Sequence, residues 1–169
     1  MKKIAILIAD LFDDKELLVP YYRCLEEGFK VDLVGAEKDT VYKSKFGLPM
    51  KSDVASRDIS AHSYNAVIIP GGFSPDYMRR SNETIQFVKD MDFMAKPIAA
   101  ICHGPWMMAS SCDLKGKRLT GFFSIKDDLV NAGAHYVDEE VVVDGHLITS
   151  RTPNDLPAFM KAIIKAVKS

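Results

Sequence analysis

Three runs of continuous apolar residues constrain this chain most: KIAILIA (3–9), NAVIIPGG (65–72) and PIAAIC (97–102). None alternates with polar residues, so each reads as a strand buried on both faces, which requires helices on both sides of the sheet. A further strand, KVDLVGA (30–36), follows the helical pattern DDKELLVPYYRCLEEG (13–28). Acidic residues there suit the positive end of a helix and Gly28 suits its C-terminal cap, while Pro20 predicts a kink or a break. NETIQFVKDMDFMA (82–95) is an amphipathic helix, and GPWMMASS opens another directly after the last buried run. Strands alternating with helices imply right-handed crossovers and a mainly parallel sheet. In HYVDEEVVVDGHLITS (135–150), Asp144-Gly145 marks a turn between two strands. The closing TPNDLPAFMKAIIKAVK predicts a helix capped by Thr152, with Pro153 in its first position and Asp155 three residues after the cap. Residues 37–60 are polar and irregular, a small hairpin or excursion. The expected organisation is one α/β domain over 1–169, without repeats or linkers.

Composition narrows the function. With 22 basic and 23 acidic residues the net charge is -1, so the chain carries no electrostatic footprint for nucleic acid. No stretch approaches the roughly 20 apolar residues of a membrane span. The N-terminal apolar run stops at Asp10 and reads as a first strand rather than a targeting segment. Cys24, Cys102 and Cys112 are odd in number and irregularly spaced, which fits free thiols in a reducing compartment; the expected location is cytoplasmic.

In an open parallel sheet, ligands bind beyond the carboxyl ends of the strands. Three segments end strands at that edge: ADLFDDKE, PGGFSPD and CHGP. Cys102 thus sits at a sharp strand-to-helix junction, where the amides of the following helix are expected to lower its thiol pKa from about 8.5 toward neutrality. There it reads either as a nucleophile or as one more buried small residue. Cys24 and Cys112 read as structural. Glu16, in the first turn of helix one, faces the same edge and reads as an orienting acid or as a favourable charge at the helix start. Gly71-Gly72 offers free amides for an oxyanion hole, or simply a tight turn. His103 is the adjacent base candidate, although sequence neighbours usually point apart. His62, His135 and His146 are expected to face solvent, and Trp106, Met107 and Met108 to pack the helix. No cluster has metal-ligand spacing and there is no phosphate loop, so neither metal nor cofactor is expected.

These residues together resemble the PfpI family of intracellular cysteine proteases: AICHGP after a buried strand, PGG ending the previous one, and E-L-x-x-P in the first helix. IKDDLVNAGA and EVVVDGHLITSRTPNDLPAF extend the likeness collinearly over essentially the whole chain. The resemblance implies a flavodoxin-like three-layer sandwich with a C-terminal hairpin. It makes Cys102 the nucleophile and Glu16 the carboxylate beside its sulfur. Gly72 and His103 would supply oxyanion amides, and Asp13 would be an acidic residue near the pocket. It also implies a homo-oligomer, dimer or hexamer, in which Asp76 of a neighbouring subunit orients the His103 ring; its side chain is shorter than the glutamate of the archaeal proteases. The implied substrate is a peptide bond, a 2-oxoaldehyde or a glycated adduct, giving a protease, a glyoxalase or a deglycase. Two other readings stay open: a redox-sensing stress protein or chaperone with an oxidisable Cys102, and a catalytically silent family member.

Overall fold

A computed structural model describes residues 1–169. β1 (Lys3–Leu7) leads through α1 (Asp14–Glu26) to β2 (Lys30–Gly35). A hairpin of β3 (Val41–Lys43) and β4 (Pro49–Lys51) precedes the short β5 (Val54–Ala55). Next come β6 (Ala66–Ile69), α2 (Ser74–Met78), α3 (Asn82–Phe93), β7 (Ile98–Ile101) and α4 (Pro105–Ser111). The chain ends with β8 (Arg118–Leu119), α5 (Lys126–Asn131), β9 (His135–Tyr136), β10 (Val142–Asp144), β11 (Leu147–Ser150) and α6 (Leu156–Lys168).

Seven strands form one sheet in the order β10-β11-β7-β6-β1-β2-β5, every pair parallel except β10 with β11. Strand order reverses between β1 and β6: from β1 the chain moves outward to β2, and from β6 it moves the other way to β7. That switch point opens a crevice at the carboxyl edge of the sheet.

The two faces of the strands feed separate cores. Val67, Ile69, Ile98 and Ala100 pack with Phe87, Val88, Met91, Met107 and Met108 of α3 and α4. Ile4, Ile6, Ile68 and Ile101 pack with Leu17 of α1 and Phe159, Met160 and Ile163 of α6. Leu156, Phe159, Met160, Ile163 and Val167 recur at helical spacing, so α6 buries one continuous stripe. Each such side chain contributes about 1.5–3 kcal/mol on leaving water.

Some local features differ from the sequence expectation. α1 continues through Pro20, which is buried with Leu17 and Cys24; that packing outweighs the one amide Pro20 lacks. Gly28 takes φ +77 and closes α1, its amide bonding Leu25 O while Phe29 N reaches back to Cys24 O. The hairpin at Asp144-Gly145 is short, for only Val142–Asp144 pairs with β11. His135 and Tyr136 instead pair in parallel with Arg118 and Leu119, and the Arg118 amide donates to the Asp144 carboxylate. Thr152 makes no capping bond; Arg151 grips Asp155 instead, and Pro153–Asp155 forms a single 3-10 turn before α6.

Candidate active site

Three strand ends meet at the switch point: the β1–α1 loop, the Pro70–Phe73 turn after β6, and Cys102 after β7. Cys102 adopts φ +61, a left-handed conformation costing an L-residue about 1–3 kcal/mol unless its surroundings enforce it. Here they do. Its amide donates to Ser150 O at 3.0 Å, its carbonyl accepts from Phe122 N at 2.8 Å, and Gly104 N closes the turn on Ile101 O at 2.8 Å. Glycine is required at Gly104, where an added Cβ would lie 2.5 Å from Ile69 O. Gly72 is likewise left-handed at φ +68 and presses against the carbonyl of Leu11. Ser74 Oγ, fully buried, donates to Gly71 O at 2.7 Å and holds that turn. The amides of Gly72 and His103 donate to no backbone carbonyl.

Glu16 lies beneath this turn with no solvent exposure. Its Oε2 accepts from Gly71 N at 2.7 Å, while Oε1 has no partner at all. An added Cβ on Gly71 would sit 2.6 Å from Glu16 Oε2 and 3.0 Å from Cys102 Cβ, so carboxyl and thiol flank the same glycine. Burial pushes the Glu16 pKa up to about 8, helped by the charge of Asp13 and opposed by the Gly71 amide, the thiol and Lys45. Asp13 caps α1 through Oδ1, bonding Lys15 N at 3.0 Å and Glu16 N at 3.2 Å, and pairs through Oδ2 with Lys45 Nζ at 2.6 Å.

The Cys102 thiol is pushed well above its ordinary value, by burial first and the Glu16 charge second, with the His103 amide pulling the other way. This corrects the expected lowering. The sulfur is nearly dry, and the helix meant to lower it spans only seven residues, starting at Pro105. Carboxyl and thiol oppose each other's ionisation, so the pair carries one negative charge before it carries two. A thiolate therefore forms more readily where Glu16 keeps its proton than where it is a carboxylate.

His103 does not point away, as its adjacency to Cys102 had suggested. The left-handed turn swings the two side chains together, and Nδ1 lies 3.3 Å from Sγ. The ring stacks on Phe122 at 4.9 Å between centroids and meets the edge of Trp106 at 5.2 Å. Burial, then the charge of Lys45, holds the His103 pKa down, so the imidazole is neutral at neutral pH.

The DJ-1/PfpI family profile matches residues 2–166. The chain belongs to the DJ-1/PfpI family. Among relatives, it is 41% identical over 166 residues to a deglycase of Pyrococcus abyssi, covering 98% of this chain and 99% of that one. It is 42% identical to YraA of Bacillus subtilis, named as a candidate cysteine protease, with 99% of each chain covered. A two-domain protein from Anabaena variabilis, with DJ-1/ThiJ/PfpI-like and ferritin-like domains, superposes with TM-score 0.95 at 43% identity; the match covers 98% of this chain and 48% of that one. Schizosaccharomyces pombe DJ-1 superposes with TM-score 0.88 at 28% identity, covering 99% of this chain and 92% of that one.

Within this DJ-1/PfpI-family fold, Cys102, Glu16, His103, Gly71, Gly72 and Asp13 gather in one crevice. Asp76 does not join them in the same chain. It sits on α2, paired with Arg80 at 2.6 Å, and Arg80 in turn lies over the Tyr77 ring. Lys45, Ser124 and Phe122 escaped the sequence reading. Lys45 arrives on the β3–β4 hairpin, which is tied to the β1–α1 loop by Leu11 N to Lys43 O at 2.7 Å and Lys45 N to Phe12 O at 3.0 Å. Only the GFFS stretch after β8 hinted at Phe122, and nothing in the sequence linked it to His103. Trp106, expected only to pack α4, also walls His103 and donates to Asp128 at 2.8 Å. His146, expected in solvent, is partly buried and pairs with Asp92 at 2.6 Å. No group of side chains has the makings of a metal site. No helix is long and apolar enough to cross a membrane.

Proposed function

We propose that this protein is a cysteine-nucleophile enzyme acting on small 2-oxoaldehydes and their adducts with amines, through Cys102 and Glu16. One observation carries this: a fully buried Glu16 beside the thiol, with one oxygen on Gly71 N and the other unpartnered, and a pKa near 8. Such a carboxyl exchanges a proton at neutral pH in either direction. The deglycase names of the Pyrococcus abyssi and Pyrococcus furiosus relatives support the same chemistry.

Sulfur bonds to the aldehyde carbon as its proton leaves for His103 Nδ1, and the imidazolium returns that proton to the carbonyl oxygen to give a hemithioacetal. Glu16, as carboxylate, removes the C–H proton from that carbon and returns it to the neighbouring one. The product is a 2-hydroxy thioester, which water cleaves to a 2-hydroxy acid and free thiol. The amides of Gly72 and His103 face the oxygen that gains charge. In an amine adduct the same attack expels the amine. The 3.3 Å contact between Sγ and His103 Nδ1 also favours a second reading, a Cys-His hydrolase acting on amides or esters.

Lactate formed from methylglyoxal is the test. Wild type is expected to turn over, with Cys102→Ala and Glu16→Gln each losing at least ~10²-fold. No turnover by wild type overturns the aldehyde reading; ester hydrolysis lost in Cys102→Ala would then point to the hydrolase. The proposal includes a cytoplasmic homo-oligomer, dimer or hexamer, in which Asp76 of one copy would reach another's His103 only after releasing Arg80.

A further inference from the structure

Three consecutive backbone groups of the turn after β6 have three different fates. Gly71 N donates to Glu16 Oε2 at 2.7 Å, Gly71 O accepts from Ser74 Oγ at 2.7 Å, and Gly72 N donates to no backbone carbonyl. The last two belong to one peptide group. That group is planar and trans, so its C=O and N–H point in opposite directions and fixing either fixes the other. Both residues flanking it are glycine, and Gly72 stands at φ +68, so no Cβ opposes a half-turn of the plane. After such a turn the N–H would leave the crevice, and a carbonyl oxygen would face the oxygen that gains charge. The bonds on either side, from Gly71 N and from Phe73 N to Leu11 O at 2.9 Å, hold the neighbouring peptides and not this plane. An added Cβ on Gly71 would stand 2.9 Å from His103 N and 3.0 Å from Cys102 Cβ, so the plane lies beside both the thiol and the second amide. Ser74 has no solvent exposure, and its bond is made inside one chain whatever subunit lies outside. A carbonyl oxygen only accepts, so the serine is the donor without ambiguity.

We propose that Ser74 is a positioning residue for the reaction: its hydroxyl pins the Gly71–Gly72 peptide so that the Gly72 N–H stays aimed into the crevice. The inference rests on the reading that this amide receives the substrate oxygen as it gains charge. Ser74 touches no substrate and moves no proton. It acts through the peptide in two ways. It disfavours the turned plane, which would leave Gly71 O without its hydroxyl. It also polarises the carbonyl, which makes the N–H at the other end of the same group a stronger donor. When negative charge builds on the substrate oxygen, the amide is already oriented and nothing has to rotate.

Gly71-Gly72 is the one Gly-Gly pair in the chain. Protein made by cell-free synthesis with glycine carrying carbon-13 in its carbonyl and nitrogen-15 in its amide therefore holds a single doubly labelled peptide, the one in question. Wild type is expected to show one sharp NMR resonance for it. Ser74→Ala is expected to move its carbonyl carbon upfield and to broaden the signal by exchange between two orientations. The same variant is expected to lower kcat on methylglyoxal about tenfold with KM unchanged. Ser111→Ala removes another buried hydroxyl-to-carbonyl bond of 2.7 Å, in α4, and is expected to leave both peptide and kcat as they are. An unshifted, unbroadened peptide in Ser74→Ala overturns the proposal, as does a kcat within about a factor of two of wild type. An equal change in Ser111→Ala overturns it as well. The labelled peptide gives its answer whether or not an aldehyde is turned over, so an inactive wild type with a pinned peptide defeats the aldehyde reading alone.

Discussion

Cys102 and Cys112 have the same ingredients around them and opposite outcomes. Both thiols are shielded, both have a carboxylate near, and each site includes a histidine. At Cys112 every polar group is spent. Asp92 accepts from Asp113 N at 3.0 Å and pairs with His146 at 2.6 Å, and the Cys112 amide bonds Met108 O at 2.8 Å. The backbone is relaxed at φ -115, and burial with the Asp92 charge pushes the thiol up to about 12. At Cys102 the backbone is left-handed, the amides of Gly72 and His103 are not spent on backbone carbonyls and Glu16 keeps an unpartnered oxygen. Reactive chemistry needs groups left unsatisfied and a fold that tolerates their cost; residue types in proximity are insufficient.

Three measurements would break or sharpen that contrast. The largest effect expected concerns Glu16. Its pKa is about 8 in the fold against 4.5 for the free group, so the folded chain binds the extra proton between those values. Stability is therefore greatest below pH 4.5 as far as this group goes, and falls as pH rises from there through 8, by on the order of 5 kcal/mol. Thermal melts from pH 5 to 8 should show that fall, and Glu16→Gln should flatten it. A parallel decline in the variant would mean the buried carboxyl is not its source.

Next is Gly71→Ala, whose new methyl would meet Glu16 Oε2 at 2.6 Å and His103 N at 2.9 Å. Turnover should fall by about 10²–10³-fold, the usual loss when an anion-stabilising donor is displaced, with circular dichroism confirming the fold. Activity within a factor of a few would separate the glycine turn from the chemistry. The smallest effect is expected for Cys112→Ala: at most about 1 kcal/mol in a urea melt and no change in turnover. A loss matching that of Cys102→Ala would erase the distinction between the two sites.

The buried strands were legible because apolar runs without alternation allow one environment only. Their carboxyl ends already pointed to Glu16, Gly71 and Cys102 as neighbours, through the rule that crevices open where strand order reverses. Other features were not legible, each for a physical reason. Lys45 reaches the site on a polar hairpin whose docking depends on bonds between loops rather than on any local pattern. The His103 ring touches the thiol because Cys102 is left-handed, a conformation that the Ser150, Phe122 and Gly104 backbone bonds enforce. The direction of the thiol shift was misread because the helix of a strand-to-helix junction is visible in sequence, whereas the dryness of the site and the carboxyl under it are not.

By itself, then, the sequence determined an α/β sheet, its buried strands and the residue types waiting at its edge, since periodicity and steric preference act over a few residues. Tertiary structure decided protonation, ring orientation and which groups stay unpaired. Those depend on solvent exclusion and on contacts between segments distant in the chain, which local patterns do not encode.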